Sequence, residues 1–357
     1  MCGNAVREDA EQCDDGNVSN LDGCDSACRF EQAHRANSLE QRYDTDAVCP
    51  ANAFGGSIGS AAQDQVNEAL AEDVASGAIT IMFKAMNLGD LRGQNEDAFQ
   101  LGTLQGAPHA GPGYNGAADL DWWYDVKSQS VDSEKNPADQ LLASIVDRKL
   151  TAGPGSLNLH MSMAGTPVLL ALKNTVVRGV TDGNAALTIS DGGTPGHVAE
   201  ENVDPSLTSF TLMHEGTICG DILSESLAHT PVPAALKAGG SAECNEGYTD
   251  AHSYLDVLVN GCSVVFFRVI NKTQPDHYLG DAPAGCKYIL TKNAQRQVTG
   301  CTDGLGNALH LQHCLSHALY STYLGYTSDR VILKMLPPIA DGGVIESDGG
   351  ITSDAGL

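Results

Sequence analysis

Hydrophobic and polar positions follow two periods along this chain, and the changes of period mark its expected elements. From residue 63 to 76, Val66, Leu70 and Val74 recur at helical spacing and Gly77 follows as a stop, which predicts a helix. Residues 78–86 (AITIMFKAM) read as a strand, and residues 119–126 (DLDWWYDV) as another. A helix is expected from Asn136-Pro137 to about Leu150. Asparagine caps, proline suits the first turn, and Asp139 lies where the helix dipole favours an anion. The clearest strands come next. Leu157, Leu159, Met161 and Met163 alternate with polar or small residues, residues 164–167 make a turn, and Val168, Leu170 and Leu172 alternate on the return. Shorter strands near 176–180 and 186–190 are punctuated by Asp182-Gly183 and Asp191-Gly192-Gly193. Strands at this spacing predict an antiparallel sheet forming one layer of a sandwich.

From about residue 210 the helical period returns. Residues 219–229, 253–260 and 305–323 read as helices, the last with Leu311, Leu315, Ala318 and Leu319 on one face. Residues 263–270 (SVVFFRVI) read as a buried strand, and 341–357 as a Gly/Asp-rich flexible tail. The expected class is α+β: a small N-terminal disulfide module, a β-rich sandwich-like body and a helical, disulfide-pinned C-terminal part. The expected division is 1–31 cysteine-rich module, 32–62 linker, 63–205 β-rich domain, 206–336 α-rich part packed on it, and 337–357 tail.

Composition narrows the function classes. Hydrophobic residues make up 42% of 357, enough for a buried core, and the net charge is −25. That charge repels phosphate backbones and anionic headgroups, which argues against nucleic-acid partners and adsorption to membranes. No stretch approaches the ~18 uninterrupted apolar residues of a membrane span. Eleven cysteines, none in a CxxC pair, point to structural disulfides and so to an oxidising compartment, extracellular or at the cell surface. Met1-Cys2 opens the sequence without a charged-then-apolar signal segment, so an incomplete N-terminus is expected.

Cys2, Cys13, Cys24 and Cys28 are spaced C-x10-C-x10-C-x3-C with little that is apolar between them, so burial alone cannot order this segment. Cys2-Gly3-Asn4, Glu8, Glu11, the run CDDGN from Cys13 to Asn17, Asp22-Gly23-Cys24 and Cys28 resemble the Myxococcus cysteine-rich repeat. Ala5 departs from the family's usual second glycine. The resemblance covers under a tenth of the chain; it implies a secreted or surface setting and two internal disulfides, and no catalytic activity. The body is similar, in its turn-and-strand style alone, to myxobacterial exported proteins of no established function. If Cys2 belongs to the repeat, seven cysteines remain and one is left over, Cys49 or a C-terminal one; a lipidated Cys2 would instead leave ten to pair.

Three constellations offer chemistry. Asp14, Asp15, Asn17 and Asp22 surround a glycine turn with hard oxygen ligands of the kind Ca²⁺ takes, though the same residues serve equally as turn formers. His310, Cys314 and His317 fall on one helical face at spacing that suits a transition metal, provided that Cys314 is a free thiolate. Trp122, Trp123 and Tyr124 offer a stacking platform for a glycan, next to the paired carboxylates Asp119 and Asp121. His214-Glu215 lacks the second histidine of HExxH, and Ser224, Ser226 and His229 lack a nucleophile elbow. The leading expectation is a secreted or cell-surface structural or interaction protein, calcium-stabilised, with surface glycans or other surface proteins as partners. A carbohydrate-binding module and an exported hydrolase are the alternatives.

Overall fold

A computed structural model describes residues 1–8, 10–109, 114, 116, 121–163, 166–187, 202–239, 243–265, 267–280 and 287–335. The first half runs β1 (Ala33–Gln41), α1 (Ala53–Ser57), α2 (Ser60–Ser76), β2 (Ile81–Met86), β3 (Glu96–Pro108), β4 (Trp123–Val126), β5 (Asp139–Val146), β6 (Lys149–Met163) and β7 (Thr166–Ala186). The second runs β8 (Thr208–Leu223), α3 (Ser224–His229), α4 (Tyr254–Asn260), β9 (Cys262–Val264), β10 (Phe267–Ile270), β11 (His277–Tyr278), β12 (Ile289–Lys292), β13 (Val298–Thr302), β14 (Ala308–Leu309), α5 (Leu311–His317) and β15 (Ala318–Met335).

Eight strands pair antiparallel in a closed ring. β1, β2, β3, β5, β6, β7 and β8 follow one another, β15 joins β8, and β15 returns to β1. Opposite sides of the ring face each other across one core as two sandwich layers do, but the ring has no open end. The two-residue side-chain period of a strand explains how it fills. Leu157 and Leu159 on β6 pair with Leu172 and Leu170 on β7, Leu172 with Ile222 on β8, and Ile222 with Tyr320 on β15, all buried. An eight-stranded ring is just wide enough for such side chains to fill. The ring is splayed at one place. β1 pairs with β2 only from Ala33 to Arg35, and α2 lies along the rest of β1. There the Asn67 carboxamide accepts from Gln41 N–H at 2.8 Å and donates to Gln41 C=O at 3.2 Å, occupying a strand edge that would otherwise be bare.

The predominantly β character corrects the expected α+β class. Among the described residues only α2 exceeds seven residues, and the helical C-terminal part is absent. Residues 136–150 form β5 and the start of β6, not a helix. Leu141, Ala143 and Ile145 are buried while Leu142 and Val146 are exposed, a period of two that overrides the Asn-Pro cap signal. Asp147 and Arg148 (φ 48° and 65°) make the two-residue turn between them. Residues 219–223 complete β8, leaving only six residues helical in α3. Residues 305–323 hold the single helix α5, after which β15 begins with Tyr320, Thr322, Leu324 and Tyr326 buried at strand spacing. The helices over 63–76 and 253–260 are present as α2, ended by Gly77 at φ 79°, and α4, started by a Ser253–Asp256 capping box. Residues 32–62, expected as a linker, contain β1 of the ring and α1.

Ten cysteines form five disulfides: Cys2–Cys28, Cys13–Cys24, Cys49–Cys219, Cys244–Cys262 and Cys301–Cys314. Cys49 is therefore not the unpaired one; Cys286 lies outside the described residues, as does the tail. The cysteine-rich module packs on the outer face of β1 and β2, away from Ile81 and Phe83, which face the ring's core. Leu21 is fully buried with Ala33, Met82, Leu104, Tyr124, Val126, Val331 and Leu333, and Cys13 and Val203 form a β-bridge. Glu31, just after the module, accepts from the backbone N–H groups of Leu21, Asp22 and Gly23, each at 2.9 Å, and pairs with Lys84 of β2. Both side chains are buried, and a charge pair removed from water is held only with such additional hydrogen bonds.

Candidate functional site

The end of the ring away from the module contains a cavity of about 230 Å³. Its floor comes from the strands: Gln41, Met161, Leu170, Leu172, Thr322 and Leu324. Helices make the walls, with Phe54 and Ile58 at α1 and Ala62, Val66, Ala69 and Leu70 on α2. Pro233, Ala235, Leu236, Tyr254 and Ile270 cover it from the segment after α3, α4 and β10. The helical period brings Ala62, Val66, Ala69 and Leu70 to one face, and the splayed β1–β2 edge lets that face reach the interior. The floor is buried throughout, whereas Gln65, Val66, Ala69, Ala235 and Val269 are at least partly exposed and form a rim.

Among the described residues that line it, none carries a charge. Gln41 spends its N–H groups on the carbonyls of Arg42 (2.8 Å) and Tyr323 (2.9 Å). Tyr254 differs from the rest. It is 3% exposed, its ring lies 6.0 Å from that of Phe54, and its hydroxyl makes no hydrogen bond to any described residue. Burial pushes its phenol well above the ordinary tyrosine range, so it stays a neutral donor at any working pH. An apolar cavity open at its rim, in which the hydroxyls of Tyr254 and Thr322 make no hydrogen bond to a described residue, can hold a small uncharged molecule.

The residues expected from sequence fall elsewhere. In the module, Asp14 is fully buried, and its carboxylate accepts from the N–H groups of Gly3, Asn4, Ala5 and Gly16 at 2.8–3.2 Å. Burial alone would raise its pKa, but those four donors hold it below the usual carboxylate value. It is a turn-forming anchor. Asn17 turns its amide N–H to Asp22 (3.2 Å) and accepts from Ser19 N–H (2.6 Å). Asp15 and Asp22 do come together. Burial, followed by the charges of Asp15 and Glu31, pushes Asp22 up to about 7, and a protonated Asp22 shares a hydrogen bond with Asp15.

Cys314 is bonded to Cys301, so the His310–Cys314–His317 set has no thiolate to offer. His310 stands at the N-terminal boundary of α5, while His317 stacks against His313 with ring centroids 4.4 Å apart and Nδ1 2.8 Å from the His313 carbonyl. In the groupings Cys244–Glu246–Cys262 and Glu11–Asp14–Cys28 every sulfur likewise belongs to a disulfide, leaving only carboxylates to offer.

Trp122, Trp123 and Tyr124 share no platform. Tyr124 is fully buried under Arg35, Trp122 donates its indole N–H to the His109 carbonyl (3.2 Å), and Trp123 faces the His109 ring at 5.6 Å. Asp121 is bonded to the buried Arg330 at 2.7 and 2.9 Å, and Asp119 lies outside the described residues. His214 lies 3.8 Å from Asp182, Ser226 accepts from Ala171 N–H, and His229 bonds the Glu225 carbonyl, so these groups converge on no common point. The sequence reading missed the cavity because its lining comes from many separate segments, each of which looks like ordinary core. The one local signal is Tyr254, a phenol in the apolar run YLDVLV.

No protein-family model, curated protein or solved structure matches this chain. No helix among the described residues is long and apolar enough to cross a membrane.

Proposed function

We propose that this chain is an exported binding protein: a disulfide-braced β-ring, carrying the cysteine-rich module on the outer face of β1 and β2, that takes a small apolar molecule at the end away from it. The observation that carries the reading is the uncharged cavity of about 230 Å³ between the strand floor and α2. An apolar cavity of about 150 Å³ already holds benzene, so this one has room for roughly nine or ten non-hydrogen atoms. Five disulfides favour an oxidising compartment, in keeping with the repeat-like module. Titration of the oxidised protein with indane, followed by calorimetry, tests it. One saturable site, blocked by Ala69→Trp at the rim, is the expected result; no binding, or binding indifferent to the substitution, refutes the reading.

A second reading concerns the module, where the carboxyl groups of Asp15 and Asp22 are brought together with Glu31 nearby. A calcium ion between them would relieve the repulsion that raises Asp22. Protons compete for that carboxylate, so calcium should raise the melting temperature more at pH 8 than at pH 6, and Asp22→Asn should abolish the effect. A melting temperature indifferent to calcium at pH 8 removes this reading.

A further inference from the structure

We infer that the cavity selects an uncharged, mainly hydrocarbon ligand bearing one hydrogen-bond acceptor, a ketone, ester or ether oxygen, which takes the Tyr254 hydroxyl proton donor. The inference rests on the cavity being a ligand site, and it adds which ligands that site prefers.

Three features lead to it. The described lining residues include no charged side chain, so a carboxylate or ammonium entering the cavity would lose its hydration with no ion to replace it. A free fatty acid or an amine is therefore excluded, whatever the length of its hydrocarbon part. The second feature is Tyr254 itself. A buried phenol normally finds a partner within the protein, and other buried tyrosines here do: Tyr248 donates to the Gly261 carbonyl at 2.6 Å, and Tyr326 to the Arg178 carbonyl at 3.1 Å. Tyr254 is as buried as these and has none, although it lies on the cavity wall. Its donor is left, with the smaller Thr322 hydroxyl on the floor, for whatever fills the space. The third feature is position. Tyr254 is the first residue of α4, held there by the Ser253 capping box, and the whole of α4 is buried. The ring is thus fixed on a rigid element, which limits the ordering entropy of binding.

Two ligands of nearly equal size separate this inference from the reading beneath it. Indane is hydrocarbon only; 1-indanone adds a carbonyl oxygen. Both are titrated by calorimetry onto the intact oxidised protein, onto Tyr254→Phe and onto Ala69→Trp. Tyr254→Phe keeps the ring and removes a hydroxyl with no partner in the protein, so folding should be preserved, as an unchanged urea midpoint would verify. The expected result is a five- to tenfold weaker affinity of Tyr254→Phe for 1-indanone, with indane affinity within twofold of the parent, since one neutral hydrogen bond contributes about this much. If indane binds but Tyr254→Phe leaves 1-indanone affinity unchanged, or weakens both ligands equally, the inference is overturned and the cavity reading stands. If neither ligand binds, or Ala69→Trp blocks neither, both fail together.

Discussion

Replacing Glu31 by glutamine removes one charge from the joint between the module and the ring. The wild-type carboxylate receives three backbone N–H groups from residues 21–23 and the Lys84 ammonium, and neither charged side chain is more than 5% exposed. Glutamine keeps one acceptor oxygen but leaves Lys84 buried without a counter-charge. Breaking a buried pair from one side costs about 3–5 kcal/mol. Removing both partners should recover much of this, so the Glu31→Gln/Lys84→Met cycle is expected to show a coupling of about 2–3 kcal/mol. Urea denaturation of the oxidised proteins measures the cycle, and hydrogen exchange at Leu21, Asp22 and Gly23 reads the joint directly. Burial works to raise the Glu31 pKa, but the Lys84 charge and the backbone donors hold it below the ordinary value. The contribution is therefore complete above about pH 4.5 and fades only as the pH falls below that range. A coupling under about 0.5 kcal/mol, with exchange at residues 21–23 unchanged, would refute the view that the module is packed integrally against the ring.

Removing the Cys49–Cys219 bridge opens a loop of 170 residues, for which chain entropy gives a loss of up to about 5 kcal/mol, read as a lower urea midpoint in Cys49→Ala/Cys219→Ala. His34 is buried beside Phe210, and burial, then the nearby Arg330 charge, depress its pKa to about 3. The unfolded chain takes up its proton near pH 6.5 and the folded chain does not, so stability falls as pH drops from about 6.5 toward 3. His34→Gln should flatten that slope. His277, raised by its hydrogen bond to Asp221, acts above that window, its contribution being complete below pH 6.5 and lost as pH rises past it; His277→Gln should lower stability evenly below pH 6.5 and remove the further loss above it.

Local signals were legible in the sequence and long-range ones were not. Gly77 and Ser253 mark helix ends through their own backbone chemistry, and both helices are found where the period placed them. The alternation of Leu157–Met161 with Val168–Leu172 likewise led directly to the β6–β7 pair. Asn136-Pro137 misled because a cap signal says nothing about the strand β3 waiting to pair with Leu141 and Ala143. Leu311, Leu315, Ala318 and Leu319 satisfy a helix, yet Leu319 sits opposite Leu223 in the ring. A few apolar residues fit both periods, and tertiary pairing decides between them. The acidic loop could be seen as a cluster, but which carboxylate captures backbone N–H groups depends on how Gly3, Asn4 and Ala5 fold back on Asp14.

The ring is closed by its first and last wall strands, β1 and β15, and this fixes the order in which the chain can reach its native state. Until the residues from Ala318 onward are available, β1 and β8 each lack a partner along one side. A nascent chain therefore carries two unpaired edges and cannot hold the strand floor beneath α2. Folding of this unit is consequently a late, all-at-once event, dominated by contacts between distant parts of the chain and correspondingly slow. Chains stalled before residue 318 should remain sensitive to protease throughout, including the N-terminal module, whose anchor Leu21 packs against Val331 and Leu333. Self-association through those two edges must be held off until residues 318–335 are in place.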